Sequence, residues 1–136
     1  MPAAGAHDAP GAALERFVAR ERERFRAAHP RSAALAAQAA RHWPGGVPMH
    51  WMADWGTPHP LFVQAARGAT LTLADGQQLD DFCLGDTGAM YGHSPAPVAA
   101  AVAAQAAAGL TCMLPSTVLD TVGAGLERLF GLPRWQ

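Results

Sequence analysis

Over residues 11 to 28, apolar positions recur at helical spacing: Leu14, Phe17, Val18 and Phe25 share one stripe, and Glu and Arg occupy most of the remainder. The pattern predicts an amphipathic helix, supported by Glu21 with Arg24 and Glu23 with Arg26 at i,i+3 spacing. His29-Pro30 interrupts it, and a second helix is expected from about Ser32 to His42. Periodicity then vanishes. Pro44, Gly45, Gly46, Pro48, Gly56, Pro58 and Pro60 exclude a regular element, while Trp43, Trp51 and Trp55 demand cover as a satellite core, a pocket wall or a subunit contact.

Beyond Pro60 the pattern shortens to strand-like runs, Leu61 to Ala65, Ala69 to Leu73 and Gln78 to Phe82. Asp75-Gly76 between the last two supplies the positive φ angles of a tight turn, so a three-stranded antiparallel meander is expected at about 61 to 83. Gly85, Gly88 and Gly92 follow in a loop. Ser94-Pro95 reads as an N-cap and first-turn proline, opening an alanine-rich helix that carries Val98 and Val102 and runs to about Ala108, stopped by Gly109. Leu119, Val122, Leu126, Leu129 and Phe130 predict a last helix over Thr117 to Phe130, with Thr117 or Ser116 as cap and Gly131 and Pro133 at its end. The expected class is α+β: amino-terminal helices, a three-stranded antiparallel meander, then two helices. Three segments are expected: a helical extension over 1–43, a Trp/Pro-rich loop with a small β subdomain over 44–94, and a helical part over 95–136.

The 136 residues suit one domain, and the net charge of −1 with pI near 6.6 argues against a nucleic-acid surface. Three glutamates interleave with five arginines between Glu15 and Arg26, which marks a solvated helix face rather than an RNA or lipid contact. The amino terminus, Met1 to Gly11, lacks the basic start and apolar core of a secretory signal. No run approaches the roughly 20 apolar residues that span a bilayer. Cys83 and Cys112 are far apart, which suggests reduced thiols and a cytoplasmic location. All ten basic residues are arginine, a bias that reads first as GC-rich codon usage.

Candidate chemistry is sparse. The six histidines include no i,i+4 pair, and none has a carboxylate at metal-ligand spacing. Serine occurs only at Ser32, Ser94 and Ser116, outside any Gly-x-Ser-x-Gly elbow. Neither a dinucleotide fingerprint nor a P-loop is present. Asp80 and Asp81 point to opposite faces of a strand and form no catalytic dyad; one of them is expected to pair structurally. Asp86, between glycines, either makes an ordinary turn contact or points into a cleft.

Taken in order, Pro44-Gly-Gly-Val47, Pro60-Leu-Phe-Val63, Arg67-Gly-Ala69, Asp75-Gly76, Asp81-Phe82, Gly92-His93 and Ser94-Pro95 with the helix after it resemble the amino-terminal segment of class III pyridoxal-phosphate aminotransferases, in the glutamate-1-semialdehyde aminomutase-like branch. The resemblance covers Pro44 to Gln136. It implies the amino-terminal part of a fold type I transferase, a small antiparallel domain beside a large pyridoxal-phosphate domain. It also implies a homodimer and transfer of an amino group between an amine or amino acid and a carbonyl compound. Covalent attachment of that cofactor requires a primary amine, which arginine does not supply, so the absence of lysine makes this chain alone inactive. A fragment of a longer protein is the expectation, and a non-catalytic module that pairs with another chain is the alternative.

Two departures bear on substrate. Trp51-Met52 stands where the branch has Val-Arg, removing a carboxylate-binding arginine, and Asp86 replaces an aromatic residue that lines the pocket in many relatives. The resemblance therefore implies a substrate side made of Asp86, Trp51 and His50, suited to an amine that carries a positive or hydrogen-bond-donating group. No catalytic, cofactor-binding or metal-binding residue is expected in this chain.

Overall fold

The computed structural model describes residues 10–136; His7 and most of the Met1 to Gly11 stretch lie outside the described residues. The chain forms two compact units, one running to Pro95 and the other Ala96–Gln136.

The first unit opens with helix α1 (Pro10–Ala28), on which Arg24 reaches Glu21 at 3.0 Å. Helix α2 (Pro30–Ala39) begins earlier than the spacing predicts, because Pro30 occupies a first-turn position where its missing N–H has no cost. It also ends earlier: Trp43 precedes Pro44 and is extended, at φ −124° and ψ 124°. Two 3₁₀ turns follow, Pro44–Gly46 and His50–Ala53.

Strands β1 (Val63–Arg67), β2 (Thr70–Leu73) and β3 (Gln78–Asp80) form an antiparallel sheet in the order β1-β2-β3, the expected meander. The first strand starts two residues later than expected, and its ladder with β2 is irregular between Val63 and Ala65. The third ends at Asp80, because the Asp81 carboxylate takes the next backbone N–H groups and turns the chain away.

The hairpin turn does more than reverse direction. The Asp75 carboxylate accepts from the N–H groups of Arg31 at 2.6 Å and Ser32 at 3.1 Å, and from the Ser32 hydroxyl, so a residue 43 positions away caps α2. Gln77 Nε2 donates to the Ala28 carbonyl, at the end of α1, at 2.7 Å. Ser32 is fully buried, and its oxygen also accepts from Phe62 N–H. Leu73, Ala74 and Val47 make the buried apolar centre, and Phe25 meets the tilted rings of His29 and His59 with centroids 4.4 and 5.0 Å away.

In the second unit, α3 (Ala96–Ala108) is an alanine helix that ends at Gly109, whose φ is 109°. Ser94, expected as its N-cap, instead has φ 52°, outside the extended range a cap adopts, and the first-turn proline is Pro97 rather than Pro95. Helix α4 (Leu119–Phe130) carries Asp120 in its first turn and Arg128 in its last, and closes on Gly131 at φ 70°. Its N-cap is Val118, without a side-chain cap; Ser116 contributes its carbonyl to Leu119 N–H, and Thr117 caps nothing. No described helix is long and apolar enough to cross a membrane.

Candidate substrate-side loop

Residues 82–92 leave the sheet at Asp81 and return to it at His93. The return is made possible by Gly92, at φ 87°: a Cβ there would lie 3.1 Å from Gly68 Cα, against which the chain passes. His93 and Gly68 then exchange two backbone hydrogen bonds, of 2.8 and 2.9 Å. At the departing end, one oxygen of Asp81 accepts from Cys83 and Leu84 N–H, each at 2.9 Å. Its other oxygen accepts from His93 Nε2 at 2.7 Å. Asp81 is thus the structurally paired member of the Asp80-Asp81 couple, and its partner, 12 residues on, is invisible to local pattern.

The charges around these carboxylates set a pH response. The His93 hydrogen bond first, then the Leu84 and Cys83 amides, hold Asp81 below the usual aspartate value despite some desolvation. For Asp75, desolvation is the largest influence and acts upward. The Ser32 hydroxyl, the Arg31 and Ser32 amides and the nearby His29 together outweigh it, so its carboxyl is also lowered. Lowered folded-state values mean that the unfolded chain takes up protons first on acidification. The stability from these groups is therefore complete above about pH 3.9 and is lost as pH falls through their lower folded values. The urea midpoint should drop on acidification below that point, and the Asp75→Asn, Asp81→Asn double variant should show a flatter acid limb. An unchanged limb would place the acid sensitivity elsewhere.

Within the loop, Leu84, Gly85, Asp86 and Thr87 all have positive φ, between 50° and 83°. Asp86 is exposed, and its carboxylate accepts a 3.2 Å hydrogen bond from Cys83 Sγ, a contact within its own turn. His50 and Trp51 sit on the second 3₁₀ turn, both exposed, with Trp51 edge-on to Trp55 at 6.5 Å. No hydrogen bond, ion pair or ring contact among the described residues joins them to Asp86. A cavity of about 470 Å³ lies beside them, lined by Val47, Met52, Trp55 and Phe62 among others, so the neighbours of Trp51 and His50, rather than those two residues, face it. Of the expected roles for the tryptophans, a satellite core is not formed, since Trp43, Trp51 and Trp55 are 51%, 44% and 71% exposed in this chain, whereas Trp55 does line the cavity wall. No group of three His, Cys, Asp or Glu among the described residues is placed to hold a metal ion.

No family model matches the chain. It is 38% identical over 82 residues to a glutamate-1-semialdehyde 2,1-aminomutase of Halorubrum lacusprofundi, covering 60% of this chain and 18% of that protein. A solved glutamate-1-semialdehyde aminomutase from Pseudomonas aeruginosa PAO1, a lysine-to-alanine variant in complex with PMP, is 50% identical with a TM-score of 0.80. That match covers 92% of this chain and 28% of the other. A β-phenylalanine aminotransferase from Variovorax paradoxus gives 25% identity and a TM-score of 0.72 over 87% of this chain and 27% of its own. The chain spans less than a third of the length of each of these proteins. Over that span it is a homologue of the amino-terminal segment of the glutamate-1-semialdehyde aminomutases, with the fold of the class III pyridoxal-phosphate aminotransferases.

Proposed function

We propose that these residues form the substrate-side, amino-terminal part of a pyridoxal-phosphate-dependent aminotransferase or aminomutase that moves an amino group between an amine or amino acid and a carbonyl compound. The observation that carries the reading is the 50% identity over 92% of the chain to an aminomutase solved with PMP. In this reading 1–43 is a helical extension, 44–94 a small β subdomain, and 95–136 the lead into a large cofactor domain. The working enzyme is a homodimer in the cytoplasm, a location supported by the exposed free thiols of Cys83 and Cys112.

The residues present do not themselves fit pyridoxal phosphate. None of the 136 is lysine, and arginine stays protonated and cannot form the covalent link, so the attaching amine is supplied from outside them. What this chain offers is selection. Met52 stands where the branch has its arginine, at the edge of an apolar cavity, and Asp86 adds a negative charge. Asp86 then favours an amine bearing a cationic or donor group over a substrate with a second carboxylate, while Trp51 and His50, which do not line that cavity, are left without a wall role in this chain.

Both statements are testable on the lysine-bearing protein that contains this chain. Borohydride reduction followed by peptide mass spectrometry should place the cofactor on a lysine outside these residues; the absence of any pyridoxyl-lysine would overturn the aminotransferase reading. Across an amine panel, Asp86→Asn should change preference by about tenfold or more, the scale of a charged hydrogen bond, with cofactor binding unchanged. Equal kinetics across the panel would sink the role of Asp86.

A second reading has its own observation: Phe82, Tyr91 and Met113 are 97%, 98% and 100% exposed, as in a module whose faces are covered by another chain. It predicts no cofactor lysine in any stably associated polypeptide, so the same reduction experiment separates the two.

A further inference from the structure

We propose that Asp81 and His93 form a latch that closes the base of the 82–92 loop and holds its left-handed run in one conformation, making both of them positioning residues. Three observations carry this. First, the run from Leu84 to Thr87 includes three non-glycine residues at positive φ, a conformation that L side chains disfavour, so it persists only where its surroundings impose it. Second, apart from the half-buried Leu84, the loop's large apolar side chains do not impose it. Phe82 and Tyr91, at its two ends, are 97% and 98% exposed, and Met90 is 69% exposed. Third, the internal hydrogen bonds of the loop stay within it, the longest in sequence being Ala89 N–H to the Leu84 carbonyl at 2.9 Å across the left-handed run, and none of them ties the run to the sheet. Backbone pairing brings the two ends to the neighbouring residues Gly68 and Ala69, and the side-chain bond that joins those ends directly is the 2.7 Å contact from His93 Nε2 to Asp81.

The geometry at the base is well suited to this task. Asp81 anchors the outgoing strand, its N–H donating to the Ala69 carbonyl, and its side chain gathers the first two loop amides it meets. His93 is tied by its backbone to Gly68, so the imidazole projects from a fixed point. The Asp81 and His93 side chains are 10% and 21% exposed, which shields the bond from competing water. A loop with joined ends and a strained tip presents Asp86 in a set position before any ligand arrives. The consequence for substrate rests on the proposed role of Asp86; the latch itself does not.

Amide hydrogen exchange on the full chain tests it. Asp81→Ala should speed exchange at the Cys83 and Leu84 amides by about tenfold or more, while the strand amides of Leu71 and Leu79 stay protected. His93→Ala, which keeps its backbone pairing to Gly68, should produce a smaller rise at the same two amides, and the absence of a rise there overturns the latch. Asp81→Asn should stay close to the parent, since its Oδ1 still accepts from both amides and its Nδ2 faces the imidazole. Unchanged exchange at Cys83 and Leu84 in Asp81→Ala overturns the latch. So does an equal loss of protection in the strands of both alanine variants, and so does an asparagine variant as fast as alanine. Exchange requires neither lysine nor cofactor, so its failure leaves the aminotransferase reading standing, and failure of the amine panel leaves the latch standing.

Discussion

Replacing Gly46 with alanine should destabilise the first unit by about 3 kcal/mol or more, the sum of left-handed strain and a backbone clash. Gly46 is buried at φ 74°, and a Cβ built on it meets the Ala36 carbonyl oxygen at 2.8 Å. That oxygen belongs to the backbone of α2, so it cannot swing aside as a flexible side chain would. Gly45 provides the control. Its φ is 69°, yet an added Cβ would meet Ala53 Cβ at 3.7 Å, an ordinary contact. Gly45→Ala should therefore cost only the conformational strain, about 1 kcal/mol. Urea unfolding of the two variants side by side reads the difference. Equal losses would show that the close approach to α2 contributes nothing and that turn conformation alone explains the glycine pair.

Ser32→Ala should cost about 2 kcal/mol, well beyond an ordinary buried serine-to-alanine change, because it breaks three elements apart at once. The hydroxyl donates to Asp75 in the hairpin turn and accepts from Phe62 N–H on the approach to β1, while sitting in the first turn of α2. Its loss leaves Phe62 N–H unsatisfied and removes one of the donors holding the Asp75 carboxylate. The measurement is again the urea midpoint, with Ser32→Thr as a companion that keeps the hydroxyl. If the alanine variant matched the parent, water would be replacing the serine, and the interlock between turn and helix would carry no stability. Expected values assume that the effects of Gly46 and Ser32 are read singly, since both residues bear on α2 and their changes are close enough to couple.

Much of the fold was legible along the chain because its signals are local. The Leu14, Phe17, Val18 and Phe25 stripe is a helix, Asp75-Gly76 is a hairpin turn, and Gly109 and Gly131 end helices in left-handed conformation. Each depends on residues a few positions apart. The misplacements are equally instructive. Ser94-Pro95 has the composition of a helix start, but Ser94 is in a left-handed conformation after the Gly68 pairing, and the helix begins at Ala96. The tryptophan segment forms no satellite core: its indoles are exposed in this chain, Trp55 lines a cavity, and large apolar side chains from α1 to Trp135 also lie open. Apolar content in a segment states a demand for burial and says nothing about which polypeptide meets it.

The sequence by itself determined the element types, the order of the meander and the resemblance that identifies the segment, since helical stripes, turn dipeptides and ordered motifs are all written in short spacings. The lack of lysine is likewise a matter of composition alone. Only the tertiary structure decided that Asp75 caps a helix 43 residues away, that Gly46 lies against the backbone of α2, and that Asp81 and His93 close the loop carrying Asp86. The first follows from how the hairpin turn meets the start of α2, the second from the chain's tight return past α2 after Pro44, and the third from the pairing of His93 with Gly68. A carboxylate's partner across such a distance depends on packing geometry that no local spacing encodes.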